Sequence, residues 1–308
     1  LEGVEFVGIA DPARAGQVLS GVEVCADYIH LVRRGLDYAI VATPTALHLE
    51  VGLTLVNRGI HALIEKPLAP TVRDSQTLVR EFAQAGLVGA VGHIERYNPS
   101  LQEARQRIAR GDLGRVLQVA TRRQGPFPDR IADVGVVMDL ATHDIDLTRW
   151  VTGGSYSRLS AVTAHRTGRF HEDMVSVSAQ LSDGTIASHV VNWLSPFKER
   201  TIVIIGEEGA FVADTLLAEL TFHANGATPD LWDEMTVFRG VQMGDVIRYA
   251  IPRPEPLRLE HENFRNAVLG LDADIVTFEE GFRVVEVADA LLASASQGVT
   301  VNLEADST

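Results

Sequence analysis

Cysteine occurs once, at Cys25, so no disulfide can close within the chain, and this suits a reducing cytoplasm. The thiol lies in a short strand-like run and reads as a buried, inert side chain. No apolar run approaches the ~20 residues that cross a bilayer, and no signal peptide is visible. Basic residues are outnumbered: 27 Lys and Arg stand against 41 Asp and Glu, a formal net charge of −14. That balance argues against nonspecific binding to nucleic acid or an anionic membrane. It leaves room for an anionic small molecule held by a few local arginines. Internal repeats and low-complexity tracts are absent too. What remains is a chain of 308 residues, 46% hydrophobic and 22% charged, able to bury a sizeable core in two domains.

The first part alternates strands and helices. Strands are expected at Val4–Ala10, Val22–Cys25, Asp37–Ala42, His61–Ile64 and Leu87–Val91, with helices over His48–Asn57 and Val72–Ala85. Such spacing predicts a parallel, doubly wound α/β sheet. Asn98-Pro99 reads as an N-cap with proline at the first helical position, and the following helix stops at Gly111. From Arg115 onward the chain is strand-rich. Runs at 115–123, 159–165, 174–181, 185–194 and 200–205 are expected strands, with Asp183-Gly184 as a hairpin turn. Runs at 210–214 and 217–222 add two more, and Gln124–Val151 ends in a helix. Consecutive hairpin strands imply an α+β domain with a large, mainly antiparallel sheet. After a stiff linker, Pro252–Pro256, two helices close the chain, so the domains read as 1–93 and 94–308.

Three stretches carry chemistry. In Glu65-Lys66-Pro67, a short apolar strand runs into a charged pair and proline ends ladder pairing. Ligands of open α/β sheets bind beyond the carboxyl ends of the strands, so Lys66 is expected to point into a ligand cleft. A solvated surface pair is the plain alternative. Asp139 and His143 stand four residues apart near a helix start and share a face. A carboxylate beside an imidazole raises its proton affinity and orients it, as a general base requires. A metal set of His143, Asp144 and Asp146 is disfavoured, because no second histidine stands at ligand spacing. Asp11, closing a strand, could bind adenosine ribose hydroxyls or simply cap a turn. The Gly-x-Gly-x-x-Gly loop that should precede it by ~20 residues has no counterpart, and the chain begins at Leu1 within an element. An N-terminally truncated sequence, lacking the first strand and binding cofactor poorly, is expected.

Thr43-Pro44 with His48, then Glu65-Lys66-Pro67, then Asp139-x-x-x-His143-Asp-Ile-Asp146, together resemble the glucose–fructose oxidoreductase / inositol dehydrogenase / MocA family, and the resemblance extends to Phe278-Glu279-Glu280-Gly281. It implies a Rossmann domain, here incomplete, followed by an α+β domain whose open sheet forms dimers or tetramers. It also implies NAD(P)-dependent oxidation or reduction of a sugar or cyclitol hydroxyl. Carried over, Lys66 would hold the reacting hydroxyl, His143 would be the general acid/base and Asp139 would tune it. Asp11, Thr43, Pro44, His48, Glu65 and Lys66 would contact the cofactor. Asp11 favours NAD, while Arg14 leaves NADP open. The family often has glycines before its D-x-x-x-H segment and another two residues before the histidine. Here Gly135 is followed by Val136-Val137-Met138, and Ala141 takes the second place.

The stretch 92–99 with 122–130 is similar to members that oxidise C3 of UDP-N-acetylglucosamine. Arginine pairs bidentately with pyrophosphate oxygens. Arg96, Arg123 and Arg130 are therefore expected near a nucleotide-sugar, with Tyr97 and Asn98 on sugar hydroxyls beside Asp139 and His143. Arginines paired with the acidic excess are the alternative. A free-sugar or inositol dehydrogenase would need no arginine cluster. A non-catalytic sugar or dinucleotide sensor on the same fold is the reading from another class, disfavoured by the intact Lys66, Asp139 and His143.

Overall fold

The computed structural model describes residues 1–128, 134–226 and 242–304. The chain divides into two compact units, Leu1–Gly92 with Arg258–Phe282, and His93–Leu257 with Arg283–Thr308.

In the first unit, β4 (Tyr38–Val41), β5 (His61–Glu65) and β6 (Gly89–Gly92) form a parallel sheet in the order β4-β5-β6. Ala62, Leu63 and Ile64 are all buried, as a central strand covered on both faces requires. Helix α2 (His48–Val56) links β4 to β5, and α3 (Val72–Ala85) links β5 to β6. The ends of α3 follow from its sequence. The Thr71 hydroxyl accepts from the Asp74 amide at 3.1 Å, and Gly86 closes the helix at φ 64°, where a side chain would be strained. Its apolar stripe buries Leu78 and Phe82. Upstream, β1 (Ile9–Ala10), β2 (Val18–Leu19) and β3 (Val22–Cys25) form a second sheet, with β1 and β3 parallel, and the short helix α1 (Tyr28–Val32) follows. The expected single doubly wound sheet is thus in two pieces. Among the described residues no strand joins β1 to β4.

The expected boundary at residue 93 needs one correction, because Arg258–Phe282 lies in the first unit. Phe264, on α6 (Pro256–Val268), packs edge-on to Tyr38 with ring centroids 5.3 Å apart and joins the core of Leu63 and Ala90. The Val91 amide then donates to the Val276 carbonyl at 2.8 Å. Gly281 permits this approach, since a Cβ there would stand 2.4 Å from Val91 Cγ2. Packing partners this distant in sequence leave no local signal.

The second unit is built on a nine-stranded sheet, ordered β14-β13-β12-β11-β7-β10-β9-β8-β15. In chain order its strands are β7 (Val116–Pro126), β8 (Tyr156–Ala164), β9 (Met174–Leu181), β10 (Ile186–Asn192), β11 (Leu194–Gly206), β12 (Gly209–Asp214), β13 (Glu219–Gly226), β14 (Gln242–Arg248) and β15 (Val301–Asn302). The sheet is mixed rather than wholly antiparallel, because β7 runs parallel to β10 while every other pair is antiparallel. The Asp183-Gly184 hairpin appears as expected, with Gly184 at φ 92°. Along β9 the residues alternate, Val175, Val177 and Ala179 inward, Ser176 and Ser178 outward. Helices α4 (Pro99–Ala109) and α5 (Thr142–Thr152) bring Leu101, Leu147 and Trp150 to a core with Val119, Ile202 and Phe211 from the sheet. Helix α7 (Phe278–Gln297) begins in the first unit and continues into the second. No helix among the described residues is long and apolar enough to cross a membrane.

Candidate active site

In the first unit the candidate residues lie at the carboxyl ends of strands: Asp11 after β1, Thr43 and Pro44 after β4 with His48 opening α2, and Glu65 closing β5 ahead of Lys66. Lys66 directly follows β5, half-buried, and Lys66–Pro67 is a cis peptide bond. It is one of only two lysines in the chain, the other being Lys198. Glu65 leans over Gly92, where a Cβ would stand 3.0 Å from its Oε2. Burial, then the charge of Glu65, pushes the carboxyl of Glu260 on α6 up to about 8.

His48 is buried, its Nδ1 3.0 Å from the Pro67 carbonyl oxygen and its Nε2 3.0 Å from that of Thr43. Both ring nitrogens therefore meet backbone, and His48 ties the two loops. Pro44 opens the turn between Thr43 and α2. The Thr43 hydroxyl is buried with no hydrogen-bond partner among the described residues. A buried hydroxyl without a partner is costly, and a dinucleotide bound beyond the strand ends would satisfy it. Asp11 caps the turn after β1, Oδ1 accepting from the Ala13 amide at 2.8 Å, and lies 3.6 Å from Arg14 Nε. The plain cap is realised there, with the other carboxylate oxygen beside arginine.

In the second unit, Asp139 and His143 are buried at the start of one helix. That start is a π-turn, Val137–Ala141, running directly into α5. The wide turn rotates His143 relative to an uninterrupted α-helix; such turns recur at functional sites. Arg200 lies within electrostatic reach of Asp139. His93 lies edge-on to His143 with ring centroids 6.3 Å apart, and its Nδ1 is 3.8 Å from Asp146 Oδ2. His93 has no spacing signature linking it to His143. Asp144 and Asp146 were visible as part of the acidic segment, but not their partners. No group of three or more His, Cys, Asp or Glu residues among the described residues could hold a metal.

The arginines expected near a pyrophosphate are engaged inside the second unit. Arg96 forks onto Asp146, Nη2 to Oδ1 at 2.6 Å and Nε to Oδ2 at 2.9 Å. Arg123, 2% exposed, reaches Glu95 at 2.9 Å and Asp144 at 3.2 Å. Burial pulls the Arg123 guanidinium down, but the two carboxylates outweigh it and hold it charged. Burial likewise pushes Glu95 up, and Arg123 with Arg200 more than reverses it. The pairing with acidic residues, not the anion site, is what Arg96 and Arg123 display. Asn98 caps α4 through Oδ1, which accepts from the Ser100 amide and hydroxyl at 3.1 and 2.7 Å, and its amide donates to the Thr215 carbonyl at 2.9 Å. Tyr97 is buried. Arg130 lies outside the described residues.

A chain that has both a Rossmann-type unit with lysine at a strand end and a unit with a mixed sheet and a buried Asp–His helix fits a class of dinucleotide-dependent oxidoreductases. The family models agree. One, described as an oxidoreductase family with NAD-binding Rossmann fold, matches residues 2–93, and the GFO/IDH/MocA C-terminal domain matches 101–212. The chain belongs to the Gfo/Idh/MocA oxidoreductase family. It is 31% identical over 193 residues to the UDP-N-acetylglucosamine 3-dehydrogenase of Acidithiobacillus ferrooxidans, covering 62% of this chain but only 60% of that relative. It is 26% identical to the scyllo-inositol 2-dehydrogenase (NAD(+)) of Bacillus subtilis, over 98% of this chain and 90% of the relative. Among solved structures, the WlbA dehydrogenase of Bordetella pertussis in complex with NADH and UDP-GlcNAcA superposes with TM-score 0.77 at 23% identity, covering 98% and 91% of the two chains. At that identity the likeness shows the fold.

Proposed function

We propose that this chain is an NAD-dependent dehydrogenase that interconverts a secondary hydroxyl and a ketone on a sugar, with C3 of a UDP-linked N-acetyl sugar as the foremost candidate. The supporting observation is Lys66 at the carboxyl end of the buried parallel strand β5, where α/β sheets bind ligands. In this reading the Lys66 ammonium donates to the substrate oxygen and stabilises the alkoxide as it develops. His143 takes the hydroxyl proton and returns it in the reverse direction, with Asp139 tuning its proton affinity. NAD, when bound, supplies the redox chemistry. Thr43 and Pro44 would line the cofactor's place, Asp11 would meet the ribose, and NADP stays open through Arg14. The relative named as a UDP-N-acetylglucosamine 3-dehydrogenase favours the nucleotide-sugar. The burial of Arg96 and Arg123 favours a second reading, a free cyclitol or sugar, as does the inositol dehydrogenase matched over nearly the whole chain. A homo-oligomer formed through the open sheet face, working in the cytoplasm, completes the proposal.

The test follows NADH absorbance with UDP-N-acetylglucosamine, myo-inositol and glucose. Turnover of the first is expected, and turnover of inositol alone would end the nucleotide-sugar reading. Lys66→Met and His143→Ala should each lower kcat by about 10²–10⁴-fold with NAD affinity kept. Unchanged rates would refute the assigned roles.

A further inference from the structure

Among the described residues, no neighbouring side chain caps the helix that carries Asp139 and His143. Helix starts leave N–H groups without acceptors, which a nearby Ser, Thr, Asp or Asn usually satisfies. Here the approach is Val134-Gly135-Val136, and no side chain of that approach caps the turn. The acceptor comes from 35 residues away: Glu172 Oε1 accepts from the Val137 amide at 2.9 Å. The Glu172 carbonyl also accepts from the Val136 amide at 3.0 Å. Glu172 is 7% exposed, and its carboxylate occupies the space that a side chain at 135 would fill. A Cβ on Gly135 would stand 2.1 Å from Oε1 and 2.2 Å from Oε2. Gly135 and Glu172 are therefore two halves of one device.

The device is anchored in the sheet. Asp173, the next residue, donates its amide to the Ala164 carbonyl on β8 at 3.0 Å, and its carbonyl accepts from the Trp193 amide beyond β10 at 3.0 Å. A carboxylate at the positive end of a helix is also electrostatically favoured. The cap thus fixes the helix start against the sheet, two residues before Asp139 and six before His143. A cap drawn from local sequence would hold the turn together without fixing its place on the sheet.

We propose that Glu172 is a positioning residue, whose carboxylate, admitted by Gly135, sets the placement of the π-turn and thereby of Asp139 and His143. The proposal rests on the acid/base role given above to His143. It also explains why a glycine stands at 135 although the residues after it are bulky.

The test uses the full chain with NAD and whichever of UDP-N-acetylglucosamine or myo-inositol turns over, alongside amide exchange at Val137 and the NMR shifts of the His143 ring. Glu172→Gln keeps an oxygen acceptor and should stay within a few-fold of the parent in every readout. Glu172→Ala should lose about tenfold or more of the Val137 protection, move the His143 shifts and cut kcat by about 10–100-fold, with KM changed less than about threefold. Gly135→Ala should reproduce it, and the double variant should be no worse than the poorer single variant. If Glu172→Ala does not fold, Glu172→Asp, one methylene short, carries the same comparison. Val137 exposed with kcat and His143 shifts unchanged overturns the proposal, as do additive losses from the two sites. If His143→Ala keeps full turnover, the functional reading fails instead, and the His143 shifts alone decide the role of Glu172.

Discussion

One imidazole, that of His48, lies 3.0 Å from two carbonyl oxygens on different loops, those of Thr43 and Pro67. A neutral ring has a single N–H and can serve one of them at a time, whereas a doubly protonated ring serves both. Either way the ring links the loops that follow β4 and β5, and Lys66 is carried on the second. His48→Ala should cost about 1–2 kcal/mol of stability in urea unfolding and weaken NAD binding by about tenfold in calorimetry. His48→Asn, which can reach one carbonyl, should fall between. Lost stability with unchanged NAD affinity would reduce His48 to a packing role.

Arg123 offers a larger effect. Removing one member of a buried ion pair strands the others without solvent, typically at about 3–5 kcal/mol. Arg123→Met leaves Glu95 and Asp144 facing each other, with the partly exposed Arg200 as the cation that remains beside Glu95 among the described residues. We expect a loss in that range by urea unfolding at pH 7, shrinking toward pH 4 as the carboxyls take up protons. A loss below about 1 kcal/mol would mean that water enters the site.

The fate of Arg123 also shows where the sequence stops being legible. Helix α3 could be read from the helical spacing of Leu78, Val79 and Phe82, and Asn98-Pro99 announced α4 through its cap and proline. Lys66 could be placed at a strand end because β5 is a short apolar run ended by proline. Whether an arginine meets solvent or carboxylates, by contrast, depends on Glu95 and Asp144, 28 and 21 residues away. The parallel β7–β10 pair, the return of Val276 to β6 and the strand β14 are likewise set by chain crossings that no window of sequence contains. The π-turn at Val137–Ala141 has no propensity signal either, since its cap is Glu172.

Glu260 predicts a pH dependence. Its carboxyl, raised by burial and then by Glu65, titrates at about 8 when folded and near the ordinary value of 4.5 when unfolded. A raised acid stabilises the folded state below the unfolded value, and that contribution is lost as pH rises through the folded one. Stability should therefore fall by up to about 1.4 kcal/mol per pH unit between roughly 4.5 and 8 from this group. Asp146 acts with the opposite sign: burial pushes it up, Arg96 and His93 outweigh that, and its lowered carboxyl loses stability as pH falls through the folded value. Glu260→Gln should flatten the decline between about pH 4.5 and 8 measured by thermal melts, while leaving the loss at lower pH that Asp146 contributes. An unchanged slope above pH 5 would show that Glu260 stays solvated.

The outward face of the large sheet bears on self-association. Register places Ser160, Ser178, Ser188, Ala120, Val203 and Val212 in one row across six strands. The adjoining row carries Val162, 72% exposed, and Val190, 39% exposed. Small side chains make that row flat, and apolar groups beside it gain by leaving water, so a second copy can pack face to face. A stable pairing needs roughly 800 Å² from each partner, and nine strands offer the width. Val190→Arg puts a long cation at the centre of such a contact, where two copies would oppose like charges. Light scattering should show the parent chain as an oligomer and Val190→Arg shifted toward monomer, with its unfolding midpoint little changed under dilute conditions. A parent chain that is monomeric at micromolar concentration would remove this face from the proposal.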